Sequence, residues 1–200
     1  MGSDALAGSD AVVGVVLAAG GGRRFGKPKA LVRFEGKLLV ERAVQTLVAG
    51  GCTEGVVVLG ASAGDVRAQA ELGDARVVVN EDWQRGMSTS LRAGLAAAGD
   101  AAAAVVALAD QPGVTPEVVA RLVAAWKSSA RPVAVATYDG AGRNPVVFGA
   151  SVWPDVMAGL RGDTGARGWL RAHRELIERV EVSDLGDCTD IDTPEDLGGR

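Results

Sequence analysis

Residues 11–29 read AVVGVVLAAGGGRRFGKPK, an apolar run followed at once by a loop rich in glycine and basic side chains. The first seven residues are uniformly apolar, which is typical of a strand buried on both faces of a parallel sheet. Ligands of such sheets bind beyond the carboxyl ends of the strands. Four glycines lie between positions 20 and 26, where they would let backbone N–H groups converge on an anion. This position and composition favour a phosphate site over a solvated surface loop.

Strand and helix patterns alternate along the rest of the chain. Predicted strands cover residues 56–59, 76–79, 104–109, 132–137 and 145–148, and predicted helices cover residues 38–48, 88–98, a segment capped by Thr115, and 165–177. This alternation predicts an α/β fold, with a three-layer Rossmann-like arrangement around a mostly parallel sheet. Residues 1–10 are small and polar, and we predict that they are disordered or frayed. Residues 11–200 are predicted to form a single domain.

Composition narrows the class of protein. Hydrophobic residues make up 48% of the 200 residues and charged residues 23%, which is enough apolar surface for a folded core. The net charge of −4 argues against a nucleic-acid partner. The two cysteines lack the spacing of a disulfide framework or a zinc site, which suits a reducing compartment. No apolar run reaches about 18 residues, and the first ten residues contain no basic n-region. We therefore expect a cytoplasmic protein with no membrane partner.

Two familiar phosphate-binding motifs nearly match the glycine-rich loop. Gly21 to Lys27 fits the P-loop pattern GxxxxGK, but Pro28 follows where a Ser or Thr hydroxyl would contact Mg²⁺. The dinucleotide pattern GxGxxG fails because Phe25 stands where the last glycine should be. The sequence therefore favours neither a P-loop NTPase nor a dinucleotide-binding Rossmann domain.

Acidic and polar motifs lie further along the chain. Asp110 ends an apolar strand; alone it would be a turn residue, but beside a phosphate loop its carboxylate suits a metal that prefers oxygen ligands. Gly86, Ser88 and Ser90 stand at a predicted helix start with Ser88 as N-cap, and they could present small donors to a nucleotide. A capped helix is the alternative interpretation. Six acids and no cation lie between Asp184 and Asp196, which suits metal binding or a solvated acidic tail.

The glycine-rich loop resembles the signature LAAGxxxRxGxxK of the nucleotidyltransferases with a MobA-like fold. Its fixed positions are filled here by Leu17, Ala18, Ala19, Gly20, Arg24, Gly26 and Lys29. Four further segments are similar to the molybdenum cofactor (molybdopterin) cytidylyltransferase-like subgroup: NEDWQRGMSTSL at 80–91, ADQP at 109–112, GDTGAR at 162–167 and DIDTPEDL at 190–197. The resemblance covers residues 12–197 and implies a fold of the nucleotide-diphospho-sugar transferase type.

By this resemblance the chain is a Mg²⁺-dependent nucleotidyltransferase, with Mn²⁺ as a second option for the metal. The resemblance implies transfer of CMP from CTP to a phosphorylated acceptor, molybdopterin or molybdenum cofactor, with release of pyrophosphate. Ala19 stands where the family's CTP-using members carry alanine and its GTP-using members glycine. A molybdoenzyme or its chaperone is an expected protein partner.

The resemblance also implies roles for individual residues. Arg24, Lys29 and Asp110 would be catalytic, and Asp110 with Asp192 would hold the metal. The implied nucleotide-binding residues are Leu17, Ala18, Ala19, Gly20, Gly21, Gly22, Lys29, Asn80, Gly86, Ser88, Ser90 and Asp163.

One segment departs from the family pattern and leaves the acceptor open. Asn144 stands where the family motif GxxGHPxxF has histidine, and Arg143 takes the place of the preceding glycine. The acceptor could instead be a sugar or alditol phosphate. A different class is an NAD(P)H-dependent oxidoreductase of the nicotine-blue-oxidoreductase-like type on the same fold, and a third is a binding or chaperone module without chemistry. The single histidine, His173, is interpreted as a solvated surface residue.

Overall fold

The structure is a computed structural model that describes residues 10–22 and 24–197. Apart from Asp10, the segment predicted to be frayed lies outside the described residues. Within them, nine strands form a seven-stranded sheet and a two-stranded hairpin. The strands are β1 (Val12–Ala18), β2 (Arg33–Phe34), β3 (Lys37–Leu38), β4 (Glu54–Leu59), β5 (Arg76–Val79), β6 (Ala103–Leu108), β7 (Val133–Tyr138), β8 (Ala141–Gly149) and β9 (Ile177–Glu181).

The large sheet has the strand order β5-β4-β1-β6-β8-β7-β9. The strands β5, β4, β1 and β6 run parallel to one another, whereas β8 pairs antiparallel with both β6 and β7, and β9 returns parallel to β7. Because β1 and β6 are parallel neighbours inside the sheet, their carboxyl ends lie side by side at one edge of it. The predicted mostly parallel α/β architecture is confirmed.

Helices cover both faces of this sheet. The α-helices are α1 (Leu39–Ala49), α2 (Ala63–Gln69), α3 (Met87–Ala97), α4 (Pro116–Ser128), α5 (Trp153–Gly159) and α6 (Arg167–Ala172). Alternate residues of β1 belong to two different apolar clusters: one contains side chains of α1, α2 and α4, and the other contains side chains of α3, α5 and α6. All seven residues of β1 are buried, which explains why the strand is apolar without alternation.

A third, smaller apolar cluster lies apart from the other two. It is formed by Val32, Phe34, Leu39 and Ile191. Phe34 belongs to the β2–β3 hairpin, whose two turn residues both have positive φ, 48° at Glu35 and 84° at Gly36, as a type I′ turn requires. This cluster fastens the segment around Ile191 to the loop that follows β1.

Several elements differ from the sequence prediction. The predicted helix over 165–177 is shorter, because α6 ends at Ala172 and β9 begins at Ile177. The strand β9 was missed because only Ile177 and Val180 are buried along it, so the alternation typical of a strand is absent. The helices α2 and α5 were also missed, since α2 buries only Val66. None of the helices in the described part of the chain is long and apolar enough to cross a bilayer.

Candidate active site

A cleft of about 390 Å³ opens at the carboxyl edge of β1 and β6. One wall is the end of β1 and the start of the glycine-rich loop, and the other is the end of β6 with the segment that leads into α3. The predicted position of a ligand site, beyond the carboxyl ends of these strands, therefore coincides with a real cavity.

The glycine-rich loop turns sharply at Gly22. Its φ is +57°, and a Cβ there would lie 2.0 Å from the carbonyl oxygen of Lys27, so only glycine fits. The Gly22 carbonyl accepts hydrogen bonds of 2.9 Å from the backbone N–H groups of Phe25 and Gly26. A short 3₁₀ helix, not an α-helix, begins at Lys29. The rejection of a P-loop on account of Pro28 is thus consistent with the structure.

The Lys29 side chain joins two carboxylates. Its Nζ donates a hydrogen bond of 2.6 Å to Asp110 and another to Asp192. Arg24 adds a second positive charge, with its guanidinium 3.1 Å from the other oxygen of Asp192. Only 20% of the Lys29 side chain is exposed, against 72% for Arg24. The structure therefore brings together the four charged residues that the resemblance singles out for catalysis and metal binding.

Ile191 explains how Asp110 and Asp192 meet although 82 positions separate them. Its side chain is 1% exposed in the third cluster, and its N–H donates a 2.8 Å hydrogen bond to the carbonyl of Asp110. The side chains of Asp190 and Asp192 accept hydrogen bonds from different donors. Asp190 accepts a 2.8 Å hydrogen bond from Gln111, whereas Asp192 accepts one from Lys29.

The charges of this group shift each other's pKa. Burial lowers the pKa of Lys29, but its hydrogen bonds to Asp110 and Asp192 and their charges outweigh burial and raise the pKa above its ordinary value. The hydrogen bond from Lys29, together with the charges of Lys29 and Arg24, lowers the pKa of Asp192. Burial raises the pKa of Asp190. Lys29 and Asp192 are consequently both charged at neutral pH.

Asp196 fixes the backbone at Asp192 by hydrogen bonds. One of its carboxylate oxygens accepts hydrogen bonds of 2.8 Å from the backbone N–H groups of Asp192 and Thr193, and these bonds lower its pKa. The sequence analysis did not single out Asp196. The pattern Thr193-x-x-Asp196 is a capping-box signal and could have identified it.

The segment that leads into α3 is organised by Asn80. Its side-chain N–H₂ donates to Thr89 at 2.8 Å and Ser90 at 3.0 Å, and its oxygen accepts from the backbone N–H of Asp82. The helix begins at Met87 with Gly86 as the N-cap, so the expectation that Ser88 caps it was wrong. Gly86 holds the cap because its φ is +109°, and because a Cβ there would lie 2.6 Å from the Asp163 carboxylate.

The predicted site residues divide into two groups. Those that line the cleft are Leu17, Ala18, Ala19, Gly20, Lys29, Gly86, Ser90, Asp110 and Asp163. Those that lie beside it are Gly21, Gly22, Arg24, Asn80, Ser88 and Asp192. Trp83 also lines the cleft; it packs so closely on Gly60 that a Cβ there would lie 2.5 Å from the Cβ of Trp83. The position of Trp83 in the 80–91 motif indicates a ring that could stack on a ligand, and the structure places that ring at the cavity.

The segment that departs from the family pattern lies on a second cavity. Arg143 and Asn144 line a pocket of about 940 Å³, together with Arg167 of the GDTGAR segment. His173 differs from its prediction as a solvated residue. Its ring stacks on Trp169 with 4.4 Å between centroids, and its Nδ1 lies 2.9 Å from the Trp169 carbonyl oxygen.

The Asp110–Asp192 pair fits a divalent cation. Both carboxylates already converge on one positive charge, the Lys29 ammonium. Among the described residues no group of three or more acidic, histidine or cysteine side chains gathers at one point. Two carboxylates are nevertheless what Mg²⁺ sites at substrate phosphates use, because the phosphates and water supply the remaining oxygens.

Comparison with known proteins identifies the family. The sequence model of the MobA-like NTP transferase domain matches residues 14–177. A protein of Paenarthrobacter nicotinovorans named nicotine blue oxidoreductase is 41% identical over 194 residues, which cover 93% of this chain and 94% of that protein.

Solved structures agree with this assignment. Rv0371c of Mycobacterium tuberculosis, in complex with manganese, superposes with a TM-score of 0.78 at 29% identity, covering 94% of this chain and 96% of that one. A nucleotidyl transferase of Methanothermobacter superposes with a TM-score of 0.79 at 25% identity, covering 94% of each chain. With a family match over residues 14–177 and both charged motifs at one cleft, the chain belongs to the MobA-like NTP transferase family.

Proposed function

We propose that this protein transfers CMP from CTP to a phosphorylated acceptor of the molybdopterin type and releases pyrophosphate. The observation that carries the proposal is the contact of Lys29 with both Asp110 and Asp192 at the cleft. Such a cluster has a clear use in nucleotidyl transfer, which builds negative charge on a leaving pyrophosphate and requires positive charge held in place.

The donor nucleotide would lie along the glycine-rich loop. Gly20 lines the cleft without a side chain, and a Cβ at that position would meet no atom within 4 Å, so phosphates can approach the backbone. Lys29 and Arg24 stand at the same edge and would neutralise phosphate charge. Trp83 offers an aromatic surface at the other wall, on which a base could stack.

Asp110 and Asp192 would hold Mg²⁺ or Mn²⁺ against the triphosphate. A divalent cation bound there neutralises phosphate charge and polarises the phosphoryl group that is attacked. The acceptor phosphate oxygen forms a bond to the α-phosphorus while the bond from that phosphorus to the pyrophosphate oxygen breaks. No side-chain nucleophile is needed, because the acceptor phosphate is already anionic and the protein contributes position and charge.

One observation favours an NAD(P)H-dependent oxidoreductase as the second candidate function: the 41% identical relative is named nicotine blue oxidoreductase. Its chemistry would require a dinucleotide cofactor. The glycine-rich loop lacks the GxGxxG spacing, and hydride transfer gives no role to a pair of aspartates that share a lysine.

Release of pyrophosphate tests the proposal. The purified protein is incubated with Mg²⁺ or Mn²⁺, molybdopterin and each of the four NTPs in turn, and pyrophosphate and the nucleotidylated product are measured. We expect release that depends on metal and acceptor and is fastest with CTP. A parallel assay follows NADH and NADPH oxidation with a quinone-like dye.

Each outcome of these assays has a defined meaning. Pyrophosphate release with another NTP would support nucleotidyl transfer but identify a donor other than CTP. Release only with a sugar or alditol phosphate would identify that compound as the acceptor. Oxidation of NAD(P)H without pyrophosphate release under any condition would overturn the proposal in favour of the oxidoreductase.

A further inference from the structure

The second cavity is lined by an unusual number of arginines. Five guanidinium side chains surround this space of about 940 Å³, and we call it the arginine pocket; they belong to Arg143, Arg167, Arg171, Arg174 and Arg179. The only acid in its lining is Asp190. A basic concentration of this kind is notable in a protein whose net charge is −4.

The positive charges of the arginine pocket are not neutralised within the described part of the chain. None of the five arginines makes a salt bridge there, although eight other ion pairs of Lys or Arg with Asp or Glu form. Arg143 and Arg179 donate only to the backbone carbonyls of Gly142 and Gly140. Asp190 is engaged by Gln111 instead. The pocket therefore keeps its capacity to bind an anion.

Three of the arginines lie on α6 and on the 3₁₀ turn that follows it. Arg167 and Arg171 belong to α6 at spacing i, i+4, and Arg174 follows three residues later. Like charges at spacing i, i+4 repel each other and destabilise a helix, and Arg167 and Arg171 are such a pair. An anion bound between them would relieve that repulsion.

The arginine pocket adjoins the cleft. Leu108, the last residue of β6, lines both cavities and also the small cavity of about 50 Å³ that lies between them. The 162–167 segment likewise contributes to both, with Asp163 in the cleft and Arg167 in the arginine pocket. A ligand that extends past the carboxyl end of β6 could thus reach both cavities.

We propose that the arginine pocket is an anion subsite that binds a second negatively charged group of the acceptor, remote from the phosphate that attacks the nucleotide. The identification of this ligand as the acceptor rests on the proposed function. The chemistry is that of phosphate or carboxylate recognition by guanidinium groups, which form paired hydrogen bonds with either. The preferred acceptor then carries at least two separate anionic groups.

Cys188 provides a built-in probe of this pocket that does not depend on enzymatic activity. It lines the arginine pocket and is partly exposed, whereas Cys52 is buried with 4% exposure. Burial raises the pKa of the Cys188 thiol and the charge of Arg143 opposes that rise. The thiolate fraction cancels when two reagents are compared on the same thiol.

The experiment compares the rates at which Cys188 reacts with anionic sulfonatoethyl and cationic trimethylammonioethyl methanethiosulfonate. We expect the anionic-to-cationic rate ratio to exceed that of glutathione by about 10-fold or more, because a positive cavity concentrates anions. The double variant Arg171→Glu/Arg174→Glu should bring the ratio down at least to the glutathione value, and the milder Arg171→Gln/Arg174→Gln should lower it in part. Inorganic pyrophosphate should slow the anionic reagent, also in a Lys29→Met background.

Lys127→Glu is the matched control for Arg171→Gln/Arg174→Gln, because it lowers the net charge by the same amount on an exposed residue at the end of α4, and it should leave the ratio unchanged. A ratio equal to that of glutathione, or one that both double variants leave unaltered, would overturn the anion subsite. Failure of pyrophosphate release in the transfer assay would leave this ratio untouched, so the two proposals fail separately.

Discussion

The positive charge of Lys29 offsets the repulsion between the carboxylates of Asp110 and Asp192. Its ammonium contacts Asp110 and Asp192 from a position only 20% exposed, where water screens charges poorly. The same ammonium would also be the nearest positive charge for an incoming triphosphate. Without a nucleotide this residue thus balances the two carboxylates, and with one it can share its charge with the phosphates.

Asp110 is the residue whose loss we expect to be most costly. Asp110→Ala should reduce the rate of nucleotidyl transfer by more than about 10²-fold, the scale found when one preorganised charge contact is removed. The measurement is pyrophosphate release at saturating CTP and metal.

Asp100→Ala is the matched control for that variant. Asp100 is an exposed aspartate just before the same strand, at the opposite edge of the sheet, and its removal should leave the rate within about 2-fold, because surface changes away from special features have small effects. Near-normal turnover by Asp110→Ala would contradict the assignment of the site.

At this scale the sequence predicts the identity of the charged residues better than their contacts. Arg24, Lys29, Asp110 and Asp192 follow from recognisable motifs, and the structure brings them together. Trp83 follows from its motif as a ring that could stack on a ligand, whereas Asp196 was missed although the pattern Thr193-x-x-Asp196 signals its hydrogen bond to a backbone N–H group.

At the scale of elements, α3 approaches the sheet unusually closely. A Cβ at Gly94 would lie 2.5 Å from Cγ1 of Val15 and 3.3 Å from Cγ2 of Val58. The helix therefore needs glycine for packing and not for its backbone conformation. This close contact fixes how near the start of α3, with Gly86 and Ser90, lies to the end of β1.

Two helical glycines give opposite predictions. Gly94→Ala should lower the free energy of unfolding by about 1–3 kcal/mol, because the added methyl overpacks a dense core. Gly64→Ala, in α2 where a Cβ would meet no atom within 4 Å, should raise it by about 0.5–1 kcal/mol through the better helix propensity of alanine. Urea unfolding midpoints measure both changes in stability. Changes of the same sign in the two variants would contradict the close packing of α3 on the sheet.

The turn between β7 and β8 is held by Glu181 of β9. Its carboxylate accepts hydrogen bonds from the Thr137 hydroxyl at 2.9 Å and from the N–H groups of Asp139 and Gly140. The Ser183 hydroxyl contributes the largest effect, and together these donors lower the pKa of Glu181 to about 2. The ionised form is thus favoured in the folded state.

A pH dependence of stability follows from that lowered pKa. A carboxyl group with a depressed pKa stabilises the fold above its ordinary value of 4.5 and loses this contribution as the pH falls towards about 2. Glu181→Gln should therefore have a lower urea midpoint than the unmodified protein at pH 7, and the gap should close between pH 4.5 and 2. The exposed Glu175→Gln is the control and should show little gap; a gap for Glu181→Gln that does not change with pH would refute the argument.

The success of prediction at this scale depends on how much of an element is buried. The fully buried β1 and the capped α4 were predicted because their patterns are strong, and the N-cap Thr115 does accept a hydrogen bond from the N–H of Val118. The strand β9 and the helix α2 bury one or two residues each, so their sequences carry little periodic signal.

At the scale of the whole molecule, the candidate site is held together by the smallest of the three apolar clusters. The two large clusters hold the sheet and its helices together. The third, around Ile191, packs the segment that carries Asp192 against Val32, against Phe34 of the β2–β3 hairpin and against Leu39 at the start of α1. The fold and the completed site therefore rest on different groups of side chains.

A comparison of Ile191→Ala with Leu122→Ala should separate the effect of a lost core side chain on stability from its effect on activity. Ile191→Ala should lower the free energy of unfolding by about 2–5 kcal/mol and reduce transfer by about 10²-fold, because a small displacement of a catalytic group is costly. Leu122→Ala removes a fully buried side chain of α4 from a large cluster; it should cost similar stability and leave the rate at low temperature near normal. Equal losses of rate in the two variants would show that Ile191 has no special role in placing Asp192.

The arrangement at Leu108 has a consequence for how such proteins diversify. The charged residues proposed to bind phosphates come from the loop after β1, the end of β6 and the segment around Asp192, whereas the arginines come from β8, α6, the turn that follows α6, and β9. Under the two proposals, mutations in the second set would alter which acceptor binds and would leave the first set in place. Such a division would let related proteins change their acceptor and keep the transfer reaction, with each of the five arginines as a separate position of divergence.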